Sequence, residues 1–248
     1  MKLRDKVVVV TGSGGGIGAA FARRFTADGA KVVVTDIDFA AVQRVSDEIG
    51  TVGLAGDITE GATIKAVADL ARRSYGEIDI WFSNAGYAGP RQPGELQDDN
   101  VWDLSWQLHV MAHVRAVREV LPSMLDRGDG YLIQTASVVA LATQPDKAAY
   151  SVTKHAALAL AEWLAKTYGP RGIKVSCFCP GPMLTPMLLS NDFPPDHPVL
   201  TVAATPDEVA DRLVHAIDDE RFLILDSALG LESLAAKASD YEKWIAGD

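Results

Sequence analysis

An α/β fold wound on both faces of a parallel sheet is what this sequence predicts, on three observations. Short β-branched or aromatic runs recur along the chain, separated by longer stretches whose apolar residues follow helical spacing. The first run, Val7 to Val10, leads without a break into Thr11-Gly12-Ser13-Gly14-Gly15-Gly16-Ile17-Gly18. No repeat or low-complexity linker interrupts the 248 residues, 48% of them hydrophobic, which is apolar material enough for one large core and a single domain over 1–248.

Strands are expected at Val7 to Thr11, Lys31 to Asp36, Val52 to Ala55, Ile80 to Asn84, Tyr131 to Thr135, Lys174 to Cys179 and Phe222 to Leu225. Helices are expected at Gly16 to Asp28, Phe39 to Ile49, Ile64 to Tyr75, Val101 to Arg127, Tyr150 to Tyr168 and Glu208 to Glu220, with Pro206 where a helix start tolerates it. This alternation gives a Rossmann-type, doubly wound parallel sheet of about seven strands with helices on both faces. Along the fourth helix, Trp102, Trp106, His109, His113, Val117, Val120 and Met124 form a near-heptad stripe that should face inward.

Gly181 to Thr205 breaks the rhythm, with Pro182, Pro186, Pro194, Pro195 and Pro198 inside it and Pro180 at its edge. A loop of that length after the carboxyl end of a strand, where open α/β sheets bind ligands, is expected to be a substrate lid. Beyond the last strand, Leu231, Leu234, Ala235, Ala238, Tyr241 and Ile245 make a helical stripe. A tail helix over 230–248, docked on its own fold or on a neighbouring subunit, would cover it.

Composition narrows the partners. Thirty-three acidic against 23 basic residues give a formal charge of −10 without a basic cluster, so nucleic acid is not an expected partner. The apolar run after Met1 to Lys6 is far shorter than a signal-peptide core or a membrane span, and a cytoplasmic location is expected. Cys177 and Cys179, at i, i+2 in a buried strand, read as small hydrophobes in preference to a metal or redox pair.

The glycine run lets the backbone approach a pyrophosphate while the helix from Gly16 offers unpaired amides, making Gly12, Ser13, Gly16, Ile17 and Gly18 candidates to bind a dinucleotide. Asp36 ends the second strand, where a carboxylate accepts bonds from a ribose hydroxyl pair. A 2′-phosphate about 4 Å from it would be repelled by roughly 4 kcal/mol per unit charge at an effective dielectric near 20, so NAD is favoured over NADP. In Gly56-Asp57-Ile58-Thr59, Asp57 and Ile58 could meet the adenine, and Asp57 is equally a cap or turn former.

Tyr150 and Lys154 stand four residues apart on one helix face, with Ser137 beyond the fifth strand at the ligand-binding edge. A tyrosine with a pKa of about 10 is a poor base at neutral pH, and bringing it to about 7 takes roughly 4 kcal/mol, which one cation at about 4 Å supplies. Lys154 is placed to be that cation, and an oxidised nicotinamide would be a second. A hydroxyl, a phenol, a lysine and a dinucleotide loop make a site for moving a hydride to or from a carbonyl.

These residues, with Ser83-Asn84-Ala85-Gly86, Pro180-Gly181 and Thr185, make the chain resemble the short-chain dehydrogenase/reductase family from Lys6 to about Leu225. The resemblance implies that Tyr150 is the general acid/base, that Ser137 orients the carbonyl, and that Lys154 binds the nicotinamide ribose and lowers the tyrosine pKa. It implies that Asn84, Ala85 and Gly86 stabilise the sheet and line the cofactor, that Thr185 holds the carboxamide, and that Pro180 and Gly181 flank the ring. It further implies a homodimer or homotetramer built on the long fourth and fifth helices.

The chain departs from the family pattern in two places. The family's relay Asn, seven residues beyond a Trp, is replaced by His109 after Trp102, and the last strand ends in Asp226-Ser227-Ala228 where the family has Asp-Gly-Gly. His109 is open to two readings, a packed core histidine or a proton relay, and a metal shared with His113 at i, i+4 lacks a third ligand. The expected activity is NAD-dependent interconversion of an apolar secondary alcohol and its ketone, with Tyr87, Val139, Gln144, Met183, Met187 and Leu188 on the substrate wall. The alternative is an NAD-binding sensor or scaffold with impaired turnover.

Overall fold

Four consecutive valines decide the centre of the molecule. In the computed structural model, which describes residues 1–248 except Pro93, Asp192, Ser227 and Asp248, Val7–Thr11 forms β1 with every residue buried. Successive side chains of a strand point to opposite faces, so Val7 and Val9 enter one hydrophobic core and Val8 and Val10 the other. Burying all four contributes on the order of 6–12 kcal/mol before the entropy of ordering them is subtracted.

The sheet continues through β2 (Lys31–Asp36), β3 (Val52–Ala55), β4 (Ile80–Ser83), β5 (Gly130–Thr135), β6 (Ile173–Cys179) and β7 (Leu223–Leu225). All pairings are parallel, in the order β3-β2-β1-β4-β5-β6-β7. The winding therefore reverses between β1 and β4, and the carboxyl ends of those two strands open the crevice in which such sheets bind ligands.

One face carries α1 (Gly16–Ala27), α2 (Phe39–Ile49) and α9 (Pro206–Asp218), whose apolar residues pack with Phe82 and Phe178 around Phe21 and Phe25. The other carries α3 (Gly61–Tyr75), α5 (Ala112–Arg127) and α6 (Ala148–Tyr168). At α9, Thr205 and Glu208 complete a reciprocal capping box ahead of Pro206, satisfying two amides that would otherwise be unpaired.

The fourth predicted helix is not one regular helix. It divides into α4 (Asp99–Trp106), a π-helical turn (Gln107–Met111) and α5. The wider turn shifts the inward stripe, so that Ser105 is buried and Trp106, expected inside, is 43% exposed, while His109 on the turn has no exposure at all. The predicted tail helix also divides. Asp240 ends α10 (Leu229–Ser239) and caps α11 (Tyr241–Ala246) by accepting from the Lys243 amide at 3.0 Å.

That stripe does not pack onto the fold: Leu231, Leu234, Tyr241 and Ile245 are exposed, while Gly230, at the start of α10, lies close to Leu225, Leu141 and Val138. Between β6 and α9 the proline-rich segment forms α7 (Pro186–Leu189) and α8 (Pro198–Val202). Its two ends are clasped, Ala204 N–H donating to Pro182 O at 3.1 Å and Leu184 N–H to Ala204 O at 2.9 Å. Among the described residues no helix is long and apolar enough to cross a membrane.

Candidate active site

The turn from β1 into α1 is dictated by close approaches. A side chain at Gly18 would place its Cβ 2.1 Å from Gly12 O, and one at Gly12, whose φ is +67°, would come within 2.8 Å of Ala85 Cα. With Gly15 as N-cap and the first intrahelical bond running from Ala19, the amides of Gly16, Ile17 and Gly18 have no helical partner. They border a cavity of about 510 Å³ that also reaches Asp36, Asp57, Ile58, Asn84, Ala85, Gly86, Tyr150, Lys154, Pro180 and Thr185. Unpaired amides at a helix start, on a turn kept tight by glycines that have no room for a Cβ, fit the pyrophosphate of a dinucleotide.

Asn84 explains why this mouth holds its shape. Its amide and side chain donate to Thr11 at 2.9 and 3.0 Å, and its Oδ1 accepts from Thr135 at 3.3 Å, tying β1, β4 and β5 together just past their ends. Asp36 accepts from the Gly14 amide at 3.0 Å and still borders the cavity. Asp57 adopts the turn-forming role, its Oδ1 taking both the amide and the hydroxyl of Thr59 at 2.8 Å, while its residue remains on the cavity wall.

Ser13 and Gly181 stand apart from the other cofactor candidates. Ser13 is fully buried, its hydroxyl donating to Val10 O and accepting from the Thr35 amide, so it joins β1 to β2 and does not line the cavity. Gly181 is also absent from the wall. Its amide donates to Asp226 Oδ1 at 2.8 Å, anchoring the start of the proline-rich segment to the end of β7. Asp226 thus does its work before the point where the sequence departs from Asp-Gly-Gly; Ser227 lies outside the described residues.

The sequence reading missed Arg44, whose Nη2 donates to Gly14 O at 2.7 Å. A cation therefore stands at the loop where none was expected. The signal was its position on α2, nearly two turns beyond the N-terminal cap Asp38, and only the tertiary fold brings it to the loop.

The chemical end gathers on α6. Tyr150 and Lys154 line the cavity together, with the Lys154 Nζ 5.5 Å from the Tyr150 ring centre and donating to Thr135 O at 3.0 Å. Ser137 lies two residues past β5, in extended backbone, and caps a 3-10 turn by accepting from the Val139 amide at 3.2 Å. Burial pushes the Tyr150 phenol above its usual value, the Ser137 hydroxyl drawing it partly back. Burial also lowers Lys154 to about 8. Desolvation is the largest influence on each group, and it favours the uncharged phenol and the uncharged amine.

His109 is buried beside this pair, its ring perpendicular to that of Tyr150 with centroids 5.5 Å apart. Its Nε2 accepts from the Tyr87 amide at 3.0 Å and its Nδ1 lies 2.8 Å from Thr153 Oγ1. Burial, then the Lys154 charge, holds its pKa well below the usual histidine range. Among the described residues, no group of three His, Cys, Asp or Glu side chains is placed to share a metal ion.

Of the expected substrate wall, Tyr87, Met183 and Met187 border the cavity, joined by Leu104, Leu108 and Pro186. Val139, Gln144 and Leu188 do not, the Gln144 backbone being engaged instead with the Ser151 hydroxyl.

The chain is 32% identical to a 1-deoxy-11-beta-hydroxypentalenate dehydrogenase of Streptomyces exfoliatus over 92% of its own length and 85% of that protein's. It superposes on a short-chain dehydrogenase/reductase of Burkholderia phymatum solved with NAD, with a TM-score of 0.86, 28% identity and coverage of 98% and 96% of the two chains. A 3-ketoacyl-(acyl-carrier-protein) reductase of Brucella melitensis complexed with NADH gives a TM-score of 0.83 at 27% identity, over 90% and 96% of the two chains. The model of the short chain dehydrogenase family matches residues 6–192, and with the loop, the sheet order and the Tyr150–Lys154 pair in place, this chain belongs to that family.

Proposed function

We propose that the chain is an NAD-dependent oxidoreductase that moves a hydride between nicotinamide and a mainly apolar secondary alcohol or ketone, working in the cytoplasm as a homodimer or homotetramer. One observation carries this reading: Tyr150 and Lys154 line the same cavity as the amide cradle and Asp36. The relatives named above, two of them solved with NADH or NAD, support it. Val152 and Trp163, exposed on α6, support the oligomer.

The nicotinamide would supply the hydride acceptor or donor. Tyr150 Oη exchanges a proton with the substrate oxygen, Ser137 presents its hydroxyl to that oxygen, and Lys154 holds the ammonium that stabilises the phenolate when it forms. A phenol raised by burial is a donor at neutral pH, which suits carbonyl reduction. Alcohol oxidation needs the phenolate, and the positive charge of an oxidised nicotinamide would add the second cation that Lys154 alone does not replace.

Asp36 accounts for the preference for NAD, and Arg44 is the feature that opposes it. Fluorescence titration with NADH and NADPH tests the choice: NADH is expected to bind more tightly, and Asp36→Ala to narrow the gap. A wild-type preference for NADPH overturns it. The second reading, a cofactor-binding sensor with impaired turnover, draws on the engagement of both His109 nitrogens; cofactor reduction with a panel of secondary alcohols separates the two.

A further inference from the structure

The π turn delivers His109 to a position where its chemistry is fully spent. A neutral imidazole has one N–H and one lone pair. Nε2 accepts from the Tyr87 amide at 3.0 Å, so it carries no proton, and the single proton belongs to Nδ1, which donates to Thr153 Oγ1 at 2.8 Å. The Thr153 hydroxyl hands its own proton to Ala149 O at 2.8 Å, one turn back on α6. Nothing on the ring is left to receive a proton.

The surroundings oppose a second proton. Lys154 and Tyr150 approach from α6, Tyr87 from the segment after β4, and His113 from the next turn of the histidine's own helix; a Cβ added at Gly86 would stand 3.7 Å from both His109 Nε2 and Lys154 Nζ. Protonating Nε2 would set two N–H groups against each other where Tyr87 now donates, beside an ammonium already buried.

We propose that His109 is a positioning residue, a neutral strut of fixed tautomer that ties the Tyr87 segment to the Thr153 turn of α6, keeps Tyr150 and Lys154 aligned with the cavity, and carries no proton in turnover. This rests on the reading of Tyr150 and Lys154 as the acid/base pair. Its reach is twofold, because Tyr87 also borders the substrate end.

Nitrogen-15 NMR of the whole protein, labelled at its five histidines, tests the strut without any substrate. One imidazole, identified by its loss in His109→Gln, should stay in the Nδ1–H form from about pH 5.5 to 9. Titration of that ring within this range, or an Nε2–H form, overturns the proposal. Turnover supplies the second arm. Thr153→Val removes the acceptor of Nδ1 and should lower kcat roughly tenfold, equivalent to one oriented hydrogen bond, while leaving cofactor affinity and the shape of the pH profile unchanged.

His109→Gln keeps an oxygen for the Tyr87 amide but loses Thr153, so adding Thr153→Val to it should cost little more. His109→Phe, lacking both links, should fall further than His109→Gln. A pH profile that changes shape in His109→Gln but not in Thr153→Val restores proton relay and refutes the strut. Absence of turnover with every alcohol and ketone would count against the oxidoreductase reading, and the NMR result would still decide the tautomer.

Discussion

The two ends of the cavity are built from different material. At the dinucleotide end the contacts are backbone amides, glycines with no room for a side chain, and Asn84, all set by buried strands. At the substrate end they are side chains, Tyr87, Leu104, Leu108, Met183 and Met187, from segments outside the sheet, and Leu104 and Met187 remain partly open to solvent. The first surface cannot be edited without moving the sheet. The second can be changed one side chain at a time, which suits a fold that keeps its redox partner and exchanges its substrates.

Mutations that break this division should differ in size. Tyr150→Phe, at the junction, should lower turnover by about 10²–10⁴-fold, the range for loss of a general acid/base, with cofactor affinity nearly unchanged; substantial residual activity would require another proton donor. Gly18→Ala comes next, because its Cβ meets backbone at 2.1 Å, closer than any relaxation of a side chain can relieve. Loss of cofactor binding together with a lower Tm is expected by titration and calorimetry, and an unaltered protein would refute the cradle.

Beneath the junction, neither ring nitrogen of His113 has a well-formed hydrogen bond, and burial lowers its pKa to about 3, with the Lys154 charge adding and Gln134 partly offsetting. The folded state therefore resists a proton that the unfolded chain takes up near pH 6.5, and stability falls as pH drops through that value. His113→Leu should remove this slope, gaining about 2 kcal/mol relative to wild type between pH 7.5 and 5 in denaturant unfolding. Parallel pH dependences would show that the acid sensitivity arises elsewhere. Smallest is Met187→Ala at the substrate end, half exposed on α7, which should leave Tm nearly unchanged while altering KM among apolar substrates.

What the sequence disclosed divides along the same line. Strand positions, the glycine turn and the Tyr150–Lys154 pair were legible because each depends on spacing within a few residues. Not legible were the π turn that hides His109 and exposes Trp106, the inward hydroxyl of Ser13, and Arg44 at the loop, since each depends on partners brought close only by the fold. The tail shows the limit of periodicity: its stripe was plain, but a pattern names no surface to cover it, and Asp240 broke the helix by capping the next one.

The clasp at the base of the proline-rich segment has an evolutionary consequence. Where the ends of a loop already meet, through Pro182, Leu184 and Ala204, its length is uncoupled from the spacing of β6 and α9. Doubling the intervening chain would add only about 0.6 kcal/mol of closure entropy. The stretch beyond Met187 is thus an exchangeable cassette, free to lengthen, shorten or change composition across descendants while the cavity-lining residues before it, the strands and the capping box keep their places.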